Sequence, residues 1–270
     1  DSIPRVEYAA DGNRLGLLVE ESRTNLLPYS DLSSGVSTNN LTLSSDTTIA
    51  PDGTQDVIKI TAGSGASSSY VSDTSIVTAG QSYVFSVYAK AGNNSSLRIA
   101  NQSSSTTGGW FDLSDGTIGT QNGASNVSSI EYVGNGWYRC SRYFDSALTG
   151  ANEVVFGINN ADGSFNPAAN GDYLYLYGAQ VEQASFPTSY IKTTGSSATR
   201  SADVASLPVT DFGFNPKAMS MLIEWQTIIP DPVSWDGYNR IVSFGESSGS
   251  ELIEILGTQN TSNVYGAVYA

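Results

Sequence analysis

The sequence predicts an all-β protein built around an antiparallel β-sandwich, followed by a second β-sandwich that is incomplete in this sequence. Three observations carry this prediction. Short segments alternate apolar and polar residues, and no window shows the 3.6-residue period of an amphipathic helix. Gly, Asn, Ser and Asp separate these segments, as in strands joined by tight turns. The 15 Tyr, 9 Phe and 4 Trp supply core material that disordered chains lack.

The predicted strands start near residue 15 and continue to about residue 180. The clearest alternation lies in Ser82–Lys90, where Phe85, Val87 and Ala89 would share one face of a sheet. Parallel sheets need crossover helices, which the sequence does not predict, so the strands should pair antiparallel. In chain order the predicted strands are Leu15–Val19, Val57–Thr61, Ser82–Lys90, Ser96–Ala100, Gly109–Leu113, Ile130–Val133, Trp137–Phe144, Glu153–Ile158 and Asp172–Gln180.

Composition divides the chain into four parts. Residues 1–30 form a lead-in with the first strand, residues 31–191 form the main sandwich, and residues 211–270 form a second β segment. Residues 192–210 are rich in Ser, Thr and Gly and predict a linker. The sequence has no initiator Met and ends inside a predicted strand. We expect either a piece of a longer protein or a last strand whose edge is covered by another chain.

Composition also excludes several classes of function. The net charge is −14 and the pI is about 4.1, and so acidic a surface repels nucleic acid and anionic lipid. The chain has no His and a single Cys, Cys140, which excludes a Ser-His-Asp triad, a His-ligated zinc and an intrachain disulfide. No apolar run approaches the roughly 20 residues of a transmembrane helix. We therefore expect neither nucleic-acid binding nor membrane insertion.

Two segments bracket the main β region, namely Gly16–Leu27 (GLLVEESRTNLL) and Tyr175–Ile191 (YLYGAQVEQASFPTSYI). Together with Gly136–Arg139 (GWYR) they resemble signatures of a module in tailed-bacteriophage virion proteins such as tail fibres, tail spikes and head fibres. That module is similar to the jelly-roll carbohydrate-binding modules, and the resemblance covers residues 14–203. The part after residue 211 resembles the start of a concanavalin-A-like (laminin-G-like) sandwich.

The resemblance implies a non-enzymatic virion structural protein on the virion surface, outside the cell. Its partners would be other virion proteins, host cell-surface glycan and other copies of itself, as a homotrimer, because phage fibres are commonly trimeric. Three alternatives remain open. The chain could be an accessory carbohydrate-binding region of a secreted polysaccharide-degrading enzyme, or a purely architectural decoration of the particle that binds no glycan. It could also be a depolymerising tail spike itself, a lyase that uses Tyr with Arg or Lys, although the missing His and paired carboxylates count against this.

A ladder of tyrosines is the first candidate binding surface. Tyr173, Tyr175 and Tyr177 alternate with two leucines, so the leucines should face the core and the tyrosines the opposite face. In the jelly-roll binding modules such aromatic side chains stack on sugar C–H groups. The alternative is that the tyrosines pack against another chain or domain, because Tyr combines an apolar ring with a polar tip. The candidate glycan-binding residues are Tyr88, Trp110, Tyr173, Tyr175 and Tyr177.

The loop that follows residue 158 is a candidate calcium site. It is rich in Asn and Asp, and Ca²⁺ prefers such oxygen ligands. The candidate ligands are Asp162, Asn166 and Asp172. Their spacing does not match an EF-hand, and the alternative is a hairpin whose Asn and Asp side chains cap their own backbone. No other cofactor is expected.

Catalytic residues are not apparent. A glycosidase needs two carboxylates on either side of the scissile bond, about 5–9.5 Å apart. The pairs Glu20/Glu21 and Glu251/Glu254 each point to opposite faces of an extended segment, so neither pair fits. We expect these glutamates to be solvated or paired with Arg, and Cys140 to be a buried apolar residue. The sequence therefore predicts a protein that is not an enzyme.

Overall fold

The structure is a computed structural model. It describes residues 5–8, 12–73, 76–78, 80–101, 108–123, 127–145, 153–204, 211, 239–244, 252–257 and 264–269. The chain forms two compact units, Asp1–Gln226 and Thr227–Ala270. In the described parts of both units the regular elements are β-strands joined by turns, and none is a helix long and apolar enough to cross a membrane.

The described residues of the first unit form sixteen strands. They are β1 Val6–Tyr8, β2 Arg14–Leu17, β3 Arg23–Asn25, β4 Ser37–Asn39, β5 Leu41–Asp46, β6 Val57–Ala62, β7 Ser69–Asp73, β8 Tyr83–Ala91, β9 Ser96–Ala100, β10 Gly108–Asp112, β11 Thr117–Asn122, β12 Ser128–Gly134, β13 Trp137–Phe144, β14 Val154–Ile158, β15 Tyr173–Glu182 and β16 Ala198–Arg200.

Twelve of these strands form two six-stranded antiparallel sheets. Sheet I has the order β11-β10-β9-β14-β7-β4, and sheet II has the order β12-β13-β8-β15-β6-β5. Successive strands from β6 to β9 and from β13 to β15 alternate between the sheets, which is the winding of a jelly roll. The predicted all-β class and antiparallel β-sandwich are confirmed.

The core lies between the two sheets. The predicted inward face of β8 is confirmed, since Phe85, Val87 and Ala89 are fully buried in it. Leu174 and Leu176 of β15 lie beside them, and β15 pairs with β8 along most of its length. Cys140, on β13, is part of the same cluster, and burial raises the pKa of its thiol. It is therefore a small apolar core residue, as expected.

The two segments that bracket the domain in sequence lie against each other in space. β3 pairs with β16 in an antiparallel ribbon. Asn25, at the end of β3, is fully buried, and its side chain makes four hydrogen bonds to the main chain. We call residues 20–25 and 188–203 the clasp, because they join the two ends of the sandwich. The four main-chain partners of the Asn25 side chain are Ala179 O, Ile191 O, Leu27 N and Val181 N.

Ion pairs complete the clasp. The buried carboxylate of Glu20 contacts Arg5 at 2.8 Å, pairs with Arg200, and accepts a hydrogen bond from Ser189 N at 2.7 Å. Asp203 pairs with Arg5 and accepts a hydrogen bond from Glu20 N. Burial raises the pKa of Glu20, but the hydrogen bonds from Ser189 and the two arginines outweigh it and hold that pKa below its usual value. Glu20 is therefore charged at neutral pH.

The clasp differs from the linker predicted over residues 192–210. Thr193 N donates to Ser30 Oγ, Thr194 forms a β-bridge with Tyr29, and Asp203 N donates to Glu20 O. Residues 193–203 are thus held against the sandwich, whereas residues 205–210 lie outside the described residues. The composition of this segment is typical of a linker, but strand preference depends on tertiary context, and here that context pairs residues 198–200 with β3.

The second unit contains a three-stranded antiparallel sheet of β17 Asn239–Phe244, β18 Leu252–Gly257 and β19 Val264–Tyr269. The order of its strands follows the chain, as in a β-meander. These are strands of the predicted second β segment, and its likeness to a concanavalin-A-like sandwich stays a prediction.

Candidate functional site

The tyrosine ladder lies on the outer face of sheet II, opposite the core. Tyr173, Tyr175 and Tyr177 alternate along β15 with the buried leucines. Tyr88, on β8, is directly opposite Tyr177 in the register, and Lys90 is opposite Tyr175. The structure therefore brings four of the five predicted glycan-binding residues onto one face of one sheet.

One end of this ladder, at Tyr177, is covered by the protein itself. Tyr177 is 5% exposed, and its hydroxyl donates a 2.6 Å hydrogen bond to Asp52. The rings of Tyr88, Tyr177 and Tyr190 form a three-membered cluster, with centroids 5.3 to 6.5 Å apart. Burial, and then Asp52, raises the pKa of Tyr177 well above its usual value, so its hydroxyl stays protonated. Tyr177 is therefore packed inside the protein, whereas Tyr88 is half-buried beside it.

The loop that covers Tyr177 is residues 49–54. Besides the bond from Tyr177, it is held by Trp137, whose Nε1 donates to the Ile49 carbonyl oxygen at 2.9 Å. Ala50 belongs to the same apolar cluster as Trp137 and Tyr177. Trp137 thus anchors this loop, and the GWYR run of the sequence has a structural role here.

The other end of the ladder, at Tyr173 and Tyr175, remains accessible. Tyr173 and Tyr175 are half-buried, with ring centroids 5.5 Å apart and planes at 74°. The Nζ atom of Lys59, on the adjacent strand β6, lies 3.8 Å from the centroid of the Tyr173 ring. We call Tyr173, Tyr175 and Lys59 the tyrosine surface. It offers aromatic rings, hydroxyl groups and an ammonium group together, and the contribution of Lys59 was missed because β6 is remote in sequence.

Trp110 is not part of this surface. It lies on β10 in sheet I, whereas the tyrosines lie on sheet II. Its side chain is 1% exposed, is packed edge-to-face against Phe165 at 4.9 Å, and donates from Nε1 to the Ser164 carbonyl oxygen at 3.1 Å. The predicted set of five glycan-binding residues was therefore wrong to include Trp110. The alternation within a strand does not reveal to which sheet that strand belongs.

The three candidate calcium ligands make separate hydrogen bonds. The carboxylate of Asp162 accepts from Thr120 N and Oγ1 at 2.7 and 2.8 Å. Asp172 Oδ2 accepts from Asn94 Nδ2 and Ala169 N, and the Asn166 carbonyl oxygen accepts from an Asn159 side chain. Within the described residues, no three His, Cys, Asp or Glu side chains cluster in a way that could hold a metal ion. Calcium binding stays a prediction.

Three of the four glutamates considered for catalysis lie within the described residues. Glu20 is buried in the clasp, and Glu21 pairs with Arg23, as expected for structural carboxylates. Glu254 lies in β18, opposite Ala267, and Glu251 lies outside the described residues.

Double-sheet sandwiches of this kind occur in lectin domains and in viral capsid proteins. No protein-family model matches the chain, and no curated protein matches it. Among solved structures it is similar to the CBM22-1–GH10 modules of the N-terminal endo-1,4-β-D-xylanase 10B of Clostridium thermocellum, in complex with xylohexaose. The identity is 11% and the TM-score 0.35, over 64% of this chain and 30% of that chain. The likeness is thus low and spans less than a third of the xylanase chain.

Proposed function

We propose that the first unit is a non-catalytic glycan-binding sandwich, and that it acts through the tyrosine surface. The observation that carries the proposal is the contrast along β15. Tyr177 is buried under the protein's own loop, whereas Tyr173 and Tyr175 remain accessible beside Lys59. Aromatic rings next to hydrogen-bond donors suit sugars, which present both C–H faces and hydroxyl groups.

The binding would be shallow and weak for a single copy. The two rings are tilted relative to each other, so a sugar would contact one ring face and the edge of the other. Lys59 supplies hydrogen-bond donors from the neighbouring strand. Many copies on one particle would raise the effective affinity by about 10²–10⁴ without any new contact.

We propose further that the chain belongs to a bacteriophage virion protein of the tail-fibre, tail-tip or head-fibre kind, displayed on the virion surface as a homotrimer. The support is the resemblance of Gly16–Leu27 and Tyr175–Ile191 to the signatures of that module. In this fold the two segments contact each other in the clasp, so a module with this fold needs both of them to join its ends. Host cell-surface glycan and other virion proteins are then the expected partners.

An architectural role without glycan is the second candidate. One observation favours it: Leu15, Leu17 and Val19 are exposed around β2, and Tyr8 of β1 is exposed as well. Exposed apolar residues in a cluster are typical of surfaces that contact other proteins. An accessory region of a polysaccharide-degrading enzyme would use the same tyrosine surface, and the gene that encodes the whole protein distinguishes that case.

Glycan binding is tested on an array of bacterial surface glycans with three proteins. These are the wild type, Tyr175→Ala, and Tyr132→Ala as a control that removes a tyrosine which is 48% exposed elsewhere on sheet II. We expect the wild type and the control to bind the same glycans, and Tyr175→Ala to bind them at least about fivefold more weakly, equivalent to about 1 kcal/mol. Equal binding by all three proteins would refute the tyrosine surface. No binding by any of them would favour the architectural role.

A further inference from the structure

A pocket that is separate from the tyrosine surface lies on the other side of the sandwich, at sheet I. It is a pocket of about 480 Å³ between the β9–β10–β11 edge of the sheet and the loop at residues 160–162. This volume is within the range of small-molecule sites in proteins, about 300–1,000 Å³. The side chains that matter most to its chemistry are Trp110, Asp112, Thr117, Asn160 and Asp162.

The walls of the pocket are held in place by hydrogen bonds. Asp162, from the loop, is fixed across the pocket to Thr120 of β11 through both carboxylate oxygens. Asp112 Oδ1 accepts from the N–H and the hydroxyl of Ser114 at 2.8 and 2.7 Å. Gly119 allows the close approach of the loop, because a Cβ atom there would collide with Asp162 Oδ1. The pocket is therefore preformed, which lowers the entropic cost of binding.

The lining presents hydrogen-bond acceptors of negative charge. Burial raises the pKa of Asp112, but hydrogen bonds from Ser114 and Ser95 outweigh it, so that pKa lies below its usual value and the carboxylate is charged at neutral pH. A carboxylate can accept about four hydrogen bonds. Asp162 accepts two from Thr120, which leaves acceptor capacity for a ligand. The ligand should therefore supply O–H or N–H donors.

Charge narrows the ligand class further. None of the described residues that line the pocket is Lys, Arg or His, and two are Asp. The chain as a whole carries a net charge of −14. Phosphates, sulfated sugars and acidic sugars are disfavoured under these conditions, because no cationic side chain of a described residue lines the pocket to contact them. A neutral polyhydroxylated molecule satisfies the carboxylates and amides without this penalty.

We propose that this pocket binds a neutral pyranose sugar unit, independently of the tyrosine surface on sheet II. Sugar hydroxyl groups donate to the carboxylates of Asp112 and Asp162, and the exposed amide of Asn160, which also lines the pocket, completes the polar contacts. Trp110 lines the floor of the pocket with a side chain that is almost fully buried, so it shapes the floor rather than stacking on the sugar ring. The sandwich then has a glycan site on each of its two sheets.

The pocket is tested by saturation-transfer NMR on the full chain, in buffer that contains EDTA. The neutral probes are glucose, galactose, mannose and N-acetylglucosamine, and the acidic comparators are glucuronic acid and N-acetylneuraminic acid. A site-specific readout is the indole N–H resonance of Trp110, since its ring lines the pocket. We expect at least one neutral sugar to bind in the millimolar range and to shift this resonance, and the acidic sugars to do neither.

Variants separate this site from the tyrosine surface. Asp162→Asn, and Gly119→Ala as a second way to disturb Asp162, should each weaken sugar binding at least about tenfold. Asp31→Asn is the matched control, because Asp31 also accepts from the N–H and hydroxyl of one residue, Ser33, but does not line the pocket. Asp31→Asn and Tyr175→Ala should leave the Trp110 shift unchanged.

Several results would overturn the proposal. They are binding of no neutral sugar by the wild type, equal binding by a folded Asp162→Asn protein, and binding of acidic sugars as strong as that of neutral ones. If the sugar signal is lost in Tyr175→Ala but kept in Asp162→Asn, all binding occurs at the tyrosine surface. This result also overturns the proposal that the pocket binds a sugar. The two proposals can therefore fail separately.

Discussion

Replacing Asn25 by Ala should be among the most damaging single changes in the sandwich. The side chain is fully buried and serves four main-chain groups at distances of 2.9 to 3.3 Å. Two of these groups are carbonyl oxygens that would lose a donor, and two are N–H groups that would lose an acceptor. Alanine can replace none of these bonds, and the main chain around the clasp cannot turn towards solvent without opening β3 or β15.

The magnitude follows from the cost of unpaired buried groups. Each buried polar group left without a partner costs about 1–3 kcal/mol, and the four groups set an upper limit well above what is observed for single substitutions. Water can enter the space that the side chain leaves and satisfy part of the loss. We therefore expect Asn25→Ala to lower the free energy of unfolding by about 3–5 kcal/mol. Asn25→Asp should also destabilise, because a carboxylate cannot donate to the two carbonyl groups.

The assay is urea unfolding read by pulsed hydrogen–deuterium exchange of peptides from β8 and β15, so that only the sandwich is followed. Thr24→Ala is the control next to Asn25. It removes an exposed hydroxyl that bonds Thr199 at 2.7 Å, and it should change the unfolding free energy by no more than about 0.5 kcal/mol. A loss below about 1 kcal/mol in Asn25→Ala would show that the clasp does not hold the ends of the sandwich together.

Two further predictions concern the other buried polar contacts. Because the folded-state pKa of Glu20 lies below its ordinary value of 4.5, its stabilisation is fully present above that pH and is lost as the pH falls through the folded-state pKa. Glu20→Gln should therefore cost about 1–3 kcal/mol at neutral pH and should flatten the acid limb of a stability–pH curve, and an unchanged acid limb would contradict the pKa assignment. Tyr177→Phe should cost about 1–2 kcal/mol and speed amide exchange in residues 49–54, since it removes the bond to Asp52. Tyr132→Phe is its control, and equal exchange in both variants would show that this hydroxyl does not hold the loop.

Much of the local structure could be predicted because it depends only on neighbours in the chain. Side chains on a strand alternate between two faces, so the pattern of β8 predicted which residues enter the core. The same rule placed Tyr173, Tyr175 and Tyr177 opposite the leucines of β15. The prediction that Trp110 lies on a neighbouring strand went beyond this rule, because alternation carries no information on which strands share a sheet. That assignment failed once β10 paired with β9 and β11 in the other sheet.

The sequence by itself determined the strand pattern, the acidic surface and the absence of His, and with them an all-β fold without His-based chemistry. Only the tertiary structure decided which tyrosines stay accessible, because Asp52 reaches Tyr177 from 125 residues away. It also decided that residues 198–200 pair with β3 and that a pocket forms beside Trp110. The physical reason is that strand pairing and loop coverage join distant parts of the chain, whereas propensity and alternation act between neighbours.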